Sequence, residues 1–328
     1  MTPEPKPTGF FLHPAAPLHD PGWGHPEHQG RLRALASAVS RDMLVLHEKV
    51  VQMEARSATD EELLRAHTAH HLERVRNAVD QAMEEGRSVP LDADTRVSEA
   101  SWDAATGSSG AVLAAVDAVT QGFFRNAFVA TRPPGHHATS EKAMGFCLLN
   151  HVAVGSRYVL DQGIGSRVLI VDWDVHHGNG TQEIFYSDPD VFYLSLHQHP
   201  HYPGTGLAQE EGAGEGKGAT LNVPLPPGTS RMEYRDRFTA ALSTVRDRFS
   251  PDFIFISSGF DVLAGDPLGG QELEPEDLFD LTREVMSFGQ ATAGDRIVVV
   301  LEGGYAPERV GAGAVAVLRA LAGLERPR

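Results

Sequence analysis

The chain has 328 residues, 41% hydrophobic and 22% charged, a composition typical of a soluble globular protein with a sizeable core. Its net charge of −16 and lack of a basic cluster argue against a nucleic-acid-binding protein, and its single cysteine, Cys147, excludes an intramolecular disulfide framework and a cysteine-cage zinc site. No apolar run is long enough to span a membrane, and the N-terminus lacks a signal-peptide pattern, so we expect a cytoplasmic protein without nucleic-acid or membrane partners.

Apolar residues at helical spacing predict several helices. Residues 1–30, rich in proline, glycine and histidine, are expected to form an irregular surface segment that ends where the first helix begins, near Arg31. Because no repeat or long linker divides the sequence, residues 1–328 are predicted to form one domain. Further helices are predicted at Asp60–Thr68, His70–Glu85, Ser101–Thr120 and Met144–Gln162 and from about Thr181, with the longest loops at Glu210–Ala219 and Pro224–Ser230.

Five short apolar segments are predicted to be strands buried on both faces, because they lack strict polar alternation. Each runs directly into glycine, proline, histidine, acidic or tyrosine residues, and most are separated by a segment long enough for a helix. This arrangement predicts an α/β fold with a parallel sheet and a ligand site outside the carboxyl ends of its strands. The segments are Ala127–Thr131, Val168–Val171, Val191–Leu196, Phe253–Ser257 and Ile297–Leu301.

One of these strands leads into a cluster of candidate metal ligands. Asp172, Asp174 and His176 occupy alternate positions, which share one face of an extended segment. Carboxylate and imidazole groups at this spacing suit a divalent cation, and a catalytic site combines three protein ligands with an open position. Asp261, after another buried strand, is the best candidate for the third ligand, and Asp266, within a Gly-Asp-Pro turn, is the alternative.

Two further features offer the proton donors and acceptors that metal-assisted hydrolysis needs. His136 and His137 follow Arg-Pro-Pro-Gly, where proline and glycine fix a turn that lets the backbone approach a ligand. Tyr305 follows two glycines and could donate a hydrogen bond to a developing oxyanion. Each feature alone is also typical of a surface loop. Combined with the acidic and histidine cluster, they indicate a hydrolytic site.

Taken together, the segments RPPGHHA, GFCLLN, DWDVHHGNGTQEIF, SSGFDVLAGDPLGG and LEGGY resemble the zinc-dependent histone deacetylase family, most closely its class II and bacterial amidohydrolase-like members. The acetylpolyamine amidohydrolases belong to the same superfamily. The resemblance runs from about His13 to the strand that carries Tyr305. It implies an arginase-like α/β domain whose central, mostly parallel sheet is flanked by helices.

The resemblance also implies a role for each catalytic residue. Zinc would be bound by Asp174, His176 and Asp261, although Fe²⁺ is an alternative in the cell. Tyr305 would polarise the acyl carbonyl, and His137 would act as general base toward water and then as general acid toward the leaving amine.

The same resemblance pairs His136 with Asp172 and His137 with Asn179. A carboxylate partner raises the pKa of an imidazole more than a neutral amide does. We therefore expect His136 to stay cationic and His137 to be nearer neutral and able to accept a proton.

Ions and substrate contacts are implied by further matches to the family pattern. Structural potassium would be bound by Asp172, Ser195 and Leu196, and a second potassium by Phe185, Asp188 and Val191. Asp92 is a further candidate carboxylate at the rim, and Arg31 a candidate at the base of the acyl-lysine tunnel. The expected substrate-binding residues are Phe146, Tyr202, Gly145, Leu268, Gly303, Asp94 and His25.

The sequence thus predicts a zinc-dependent amidohydrolase that removes acetyl or a similar small acyl group from the ε-amine of lysine or a related primary amine. Its partners would be an acyl-lysine protein or peptide or an acylated small amine. A homo-oligomer is also compatible with the sequence. An acetylpolyamine amidohydrolase is the first alternative; the relative specialised for polyamines has an acidic residue where this chain has Leu268. A non-catalytic acyl-lysine-binding protein would be expected to lack a ligand, the tandem histidines or the tyrosine, and an arginase-like manganese pair needs more ligands than the sequence offers.

Overall fold

Eight strands lie side by side in one parallel sheet, in a computed structural model that describes residues 6–327. Their order across the sheet is β2-β1-β5-β10-β9-β6-β7-β8, while β3 and β4 form a separate antiparallel ribbon. The strands are β1 (Thr8–Phe11), β2 (Val50–Met53), β3 (Val89–Pro90), β4 (Arg96–Val97), β5 (Asn126–Val129), β6 (Val168–Asp172), β7 (Val191–Gln198), β8 (Thr220–Leu225), β9 (Phe253–Ser258) and β10 (Ile297–Leu301).

Helices cover both faces of this sheet, and in residues 6–327 none is long and apolar enough to cross a membrane. The helices are α1 (Gly30–Arg41), α2 (Met43–Leu46), α3 (Asp60–Leu63), α4 (Ala69–Glu85), α5 (Ser101–Thr120), α6 (His151–Asp161), α7 (Asn179–Phe185), α8 (Arg231–Arg248), α9 (Pro275–Thr292) and α10 (Pro307–Leu321).

Strand β10 shows how the apolar segments build two cores. Ile297, Val299 and Leu301 pack with α1, α8, α9 and α10 on one face of the sheet, whereas Val298 and Val300 pack with α4, α5 and α6 on the other. All five side chains are fully buried, and burial of each stabilises the fold by about 1.5–3 kcal/mol. A strand buried on both faces therefore needs apolar residues at every position, which explains its continuous hydrophobic sequence.

The five predicted strands and the helices beginning near residues 31, 70, 101 and 181 are confirmed, with bounds that differ by three residues or fewer. The five confirmed strands lie next to one another in the sheet, and since all are parallel their carboxyl ends meet at one edge. The single α/β domain and its parallel sheet are confirmed as well, and every pair of neighbouring strands in the main sheet is parallel.

The irregular segment predicted for residues 1–30 is wrong where it includes β1. Phe10 and Phe11 are buried in this strand, which pairs with both β2 and β5. A strand of only four residues gives a weak apolar pattern, and the surrounding prolines, glycines and histidines favour a loop instead. The strands β2 and β8 were missed as well, and β8 extends into the loop predicted at 224–230.

Two predicted helices are too long. The helix predicted at 60–68 ends at Leu63, and the one predicted at 144–162 begins only at His151. Gly145 and Phe146 have φ angles of 56° and 67°, which a right-handed helix does not allow. Asn150 then caps α6, since its side chain accepts a hydrogen bond from the Ala153 amide at 3.0 Å.

Glycine allows α5 to approach the loop that precedes α3. A Cβ atom added at Gly110 would lie 1.9 Å from the carbonyl oxygen of Arg56 and 2.6 Å from the Ala58 nitrogen. Both are backbone atoms, so a side chain at this position would displace the loop or the helix.

We therefore expect Gly110→Ala to lower the free energy of unfolding by about 1–3 kcal/mol, the usual range for overpacking. Helix propensity alone predicts the opposite, a gain of about 1 kcal/mol. Chemical denaturation would measure the change, with Ala114→Gly, on the partly exposed side of the same helix, as the propensity control. A more stable Gly110→Ala variant would contradict this packing.

Candidate active site

Three candidate metal ligands meet where β6 and β9 end. Asp174 and His176 follow β6, Asp261 follows the neighbouring strand β9, and their ligand atoms lie within 4.8 Å of one another. All three residues are buried. The preference for Asp261 over Asp266 as the third member of this cluster agrees with the structure, because Asp266 lies outside it and accepts backbone hydrogen bonds.

Unpaired charge around these ligands fits a divalent cation. Oδ2 of Asp261 is buried and has no hydrogen-bond partner among residues 6–327. Burial and the charge of Asp174 raise the pKa of Asp261 to about 7. Burial lowers the pKa of His176, but the carboxylates of Asp174 and Asp261, whose oxygens lie 3.0 and 3.3 Å from its Nδ1, raise that pKa to about 9. The cluster therefore attracts positive charge, and a metal ion would supply it.

Gly303 keeps the space beside the two carboxylates open. A Cβ atom at this residue would lie 2.1 Å from Oδ2 of Asp261 and 2.7 Å from Oδ2 of Asp174. Instead, the backbone amide of Gly303 donates a hydrogen bond to Oδ2 of Asp174 at 2.8 Å. The glycine thus fixes one ligand through its backbone without filling the site.

The tandem histidines are held by a buried carboxylate that the sequence analysis did not identify. Oε2 of Glu302 accepts hydrogen bonds from the backbone amides of Gly135 and His136 at 2.7 and 3.1 Å. Its other oxygen accepts the Ser257 hydroxyl at 3.1 Å. A charged residue at the end of an apolar strand was the available signal, since a carboxylate buried this deeply needs such donors.

Each histidine has the partner that the resemblance implies. Nδ1 of His136 lies 3.0 Å from Oδ2 of Asp172, and Nδ1 of His137 lies 2.8 Å from Oδ1 of Asn179. The two ring centroids are 4.1 Å apart. The rings are therefore adjacent, but one is hydrogen-bonded to a carboxylate and the other to a neutral amide.

These environments separate the two pKa values. Burial opposes protonation of His136, but the charges of Asp174 and Asp172 outweigh it and raise its pKa to about 10. Burial and then the positive charges of His136 and His176 lower the pKa of His137 well below its usual range. At neutral pH His136 is thus cationic and His137 neutral, the split expected from the sequence.

Tyr305 faces the metal cluster from the loop that follows β10. Its ring packs edge-on against Phe146, with centroids 5.6 Å apart, and the Arg31 guanidinium carbon lies 5.1 Å from the centre of its ring. Burial raises the pKa of the phenol well above its usual range, so the hydroxyl stays protonated and can donate a hydrogen bond. Arg31 contacts this ring from a fully buried position, and its place at the base of the tunnel stays a prediction.

A cavity of about 450 Å³ opens onto these groups. Of the seven expected substrate-binding residues, five line it; His25 instead packs on Phe146, with ring centroids 4.7 Å apart, and Gly303 lies behind the cavity at the metal cluster. Gln198 and His201 also line it, and neither was predicted. The lining residues are Asp94, His137, Gly145, Phe146, His176, Gln198, His201, Tyr202, Pro267, Leu268, Gly269, Gly270 and Tyr305.

Comparison with known proteins supports the family that the sequence motifs resemble. Residues 25–321 match the family described as Histone deacetylase domain. The chain belongs to the histone deacetylase family.

Relatives match this histone deacetylase family member over most of its length. A probable deacetylase of Archaeoglobus fulgidus is 36% identical over 301 residues, covering 92% of this chain and 82% of the relative. A histone deacetylase-like amidohydrolase of Pseudomonas aeruginosa is 37% identical, covering 97% of this chain and 81% of the relative. The solved HD domain of HDA15 has a TM-score of 0.89 at 36% identity, covering 98% of this chain and 91% of that structure. The predicted family is confirmed, and these relatives support a hydrolase.

Of the residues that match the family's two potassium sites, the first set adjoins the metal cluster through Asp172, and the second set spans the connection from α7 to β7. Asp172 and Ser195 are register partners on β6 and β7, and Leu196 follows on β7. In the second set, Asp188 forms an ion pair with Arg157, while Phe185 and Val191 are buried. Among the predicted rim acids, Asp92 pairs with Lys142 at 3.0 Å, whereas Asp94 reaches the cavity.

The difference between the tandem histidines gives a direct test. In the metal-free protein at pH 7.5 we expect His136 to carry protons on both ring nitrogens and His137 on only one, because their pKa values are shifted in opposite directions. Long-range ¹H–¹⁵N spectra of the imidazoles would show this, with His151, whose pKa burial lowers to about 4, as a neutral reference. A neutral His136 at pH 7.5 would contradict the assignment.

Proposed function

We propose that this chain is a zinc-dependent amidohydrolase that removes acetyl or a similar small acyl group from the ε-amine of lysine or a related primary amine. The observation that carries the proposal is that one cavity is lined by His176 of the buried Asp-His-Asp cluster, by a neutral histidine and by a protonated tyrosine. We assign these to a metal site, a proton acceptor and an oxyanion donor, the three components of metal-assisted amide hydrolysis.

Asp174, His176 and Asp261 would hold the metal ion. When bound, a divalent cation polarises an amide carbonyl and lowers the pKa of water. Zinc suits two carboxylates and an imidazole, and Fe²⁺ is the alternative.

His137 is the proposed general base. It is neutral at working pH, lines the cavity and is oriented by Asn179, so its free Nε2 can take a proton from the attacking water. The same nitrogen then gives that proton to the departing amine, which leaves as a neutral group. His136 stays cationic through its bond to Asp172, and its positive charge favours the negatively charged tetrahedral state over the neutral substrate.

Tyr305 is the proposed oxyanion donor. Its hydroxyl keeps its proton at neutral pH, and the side chain lines the cavity next to the Gly303-Gly304 turn. A fixed donor of this kind strengthens its hydrogen bond as the carbonyl oxygen gains charge, and so lowers the barrier rather than only binding substrate.

The cavity walls favour acyl-lysine as the substrate. Phe146 and Tyr202 present aromatic surface along the cavity, which suits an aliphatic chain, and neutral Leu268 offers no partner to a second ammonium group. Asp94 is the lining carboxylate outside the metal cluster, and Gly145 N–H donates to it at 3.0 Å. An acetylpolyamine is the second candidate, with Asp94 as its ammonium contact.

The sequence carries further proposals: potassium at the two matched sites, homo-oligomerisation and a cytoplasmic location.

Replacing Tyr305 with phenylalanine should lower kcat by about two to three orders of magnitude, the usual effect of losing one oxyanion donor. Zinc affinity should be unchanged, because the hydroxyl is not a ligand. Steady-state kinetics on an acetyl-lysine peptide would measure this, with Tyr158→Phe as the control, since the Tyr158 hydroxyl donates to Asp117 at 2.9 Å between α6 and α5, outside the cavity lining. Near-normal turnover by Tyr305→Phe would refute the role.

Substrate class is tested by kcat/KM of the zinc-loaded enzyme on an acetyl-lysine peptide and an acetylated polyamine. We expect the peptide to be preferred by about tenfold or more, equivalent to about 1.4 kcal/mol. Leu268→Glu should shift the ratio toward the polyamine by adding a carboxylate to the cavity wall. A strong preference of the unaltered enzyme for the polyamine would replace the acyl-lysine proposal with the second candidate.

A further inference from the structure

Asp266 is a buried carboxylate that the proposed chemistry does not use. It lies in the loop between β9 and α9, only 6% of its surface is exposed, and it stands outside the metal cluster. Its side chain accepts three backbone hydrogen bonds. Oδ1 accepts the Leu268 amide at 2.9 Å, and Oδ2 accepts the amides of Tyr305 and Ala306 at 2.6 and 3.0 Å.

These amides belong to two segments that are distant in sequence. Leu268 lies in the loop that lines the cavity, while Tyr305 and Ala306 form the turn that enters α10. One side chain therefore ties a wall of the cavity to the backbone of the proposed oxyanion donor. Only a carboxylate can do this fully, because it offers two acceptor oxygens and an amide side chain offers one.

Tyr305 needs such a restraint. It follows two glycines, which give the backbone before Tyr305 little intrinsic stiffness, and Gly304 has a φ of 114°, which residues with a side chain rarely adopt. Among residues 6–327 no hydrogen bond holds the phenol hydroxyl itself. The position of the ring therefore depends on the backbone bonds to Asp266, on packing against Phe146, and on Arg31, whose Nε donates to the Gly304 carbonyl at 2.5 Å.

We propose that Asp266 is a positioning residue that places the Tyr305 hydroxyl relative to the metal cluster and joins it to the Leu268 loop. The proposal rests on the oxyanion role proposed above for Tyr305. A donor displaced by about 1 Å loses about hundredfold in rate, so a restraint on its backbone acts on kcat more than on substrate binding. Asp266 would touch neither substrate nor metal.

The test is a double-mutant cycle between Asp266→Asn and Tyr305→Phe. Asparagine keeps one acceptor oxygen and so can hold only one of the two segments. We expect Asp266→Asn alone to lower kcat by about ten- to hundredfold with little change in KM. In the Tyr305→Phe background the same substitution should change kcat by about twofold or less, because the group it positions is already missing.

Two further readouts separate positioning from other roles. Zinc affinity, measured by competition with a chelating dye, should stay within about twofold of the parent for Asp266→Asn, whereas Asp261→Asn should lose zinc. Hydrogen exchange of the Tyr305 and Ala306 amides should accelerate, because asparagine turns toward them either its NH2 group or a neutral oxygen, which is a weaker acceptor than a carboxylate. This last readout does not depend on activity, so it judges the restraint even if Tyr305 proves not to be the oxyanion donor.

Asp252→Asn is the matched control. Asp252 also uses both oxygens to accept backbone amides, from Ser166 at 2.9 Å and Arg167 at 3.2 Å, but it does so before β9, at the opposite edge of the sheet. The kcat of the Asp252→Asn variant should stay near that of the unaltered enzyme. Equal losses of kcat for Asp266→Asn in both Tyr305 backgrounds, or loss of zinc, would overturn the proposal. If Asp266→Asn does not fold, Asp266→Glu keeps both oxygens one methylene further out and is judged by the same cycle.

Discussion

Buried negative charge at one edge of the sheet is the constraint on which the site depends. Asp172, Asp174, Asp261 and Glu302 follow or end neighbouring strands, and each is fully buried. Carboxylates removed from water are costly unless cations and hydrogen-bond donors surround them. The donors are mostly backbone amides, and the cations are His136 and, at the cluster, either protonated His176 or the proposed metal. Because the sheet is parallel, its strand ends converge, and the charge is concentrated rather than dispersed.

Backbone amides position most of the chemical groups of the site. Glu302 holds the turn that carries His136, and the amide of Gly303 donates to Asp174. Amide donors have no side-chain rotamers to lose, so they fix a ligand or a catalytic group at little entropic cost. This explains why glycine and proline are so frequent beside the histidines and aspartates. They shape loops whose N–H groups point inward, which regular helices and strands do not provide.

Much of this arrangement is local in sequence and could be predicted from it. The strand at 168–172 leads into Asp174 and His176 without interruption, and continuous apolar residues reveal each central strand. The sequence favours Asp261 as the third ligand with Asp266 as the alternative, and only the fold shows which carboxylate turns toward the cluster. The same limit hid Glu302, whose partners lie about 167 residues away along the chain. The bend at Phe146 was missed because a sequence of small and apolar residues suits a helix equally well.

The open space beside Gly303 has a consequence for how this protein can change. The residue does not line the cavity, yet any side chain there would lie against the carboxylates of Asp261 and Asp174. We therefore expect mutational tolerance not to follow distance from the cavity. Cavity-lining positions such as Leu268 are expected to vary, whereas Gly303, whose place beside two carboxylates leaves no room for a Cβ atom, is expected to tolerate no other residue. Under the proposed function, changes of acyl preference would then arise in the loops of the cavity wall, while the strand ends stay fixed.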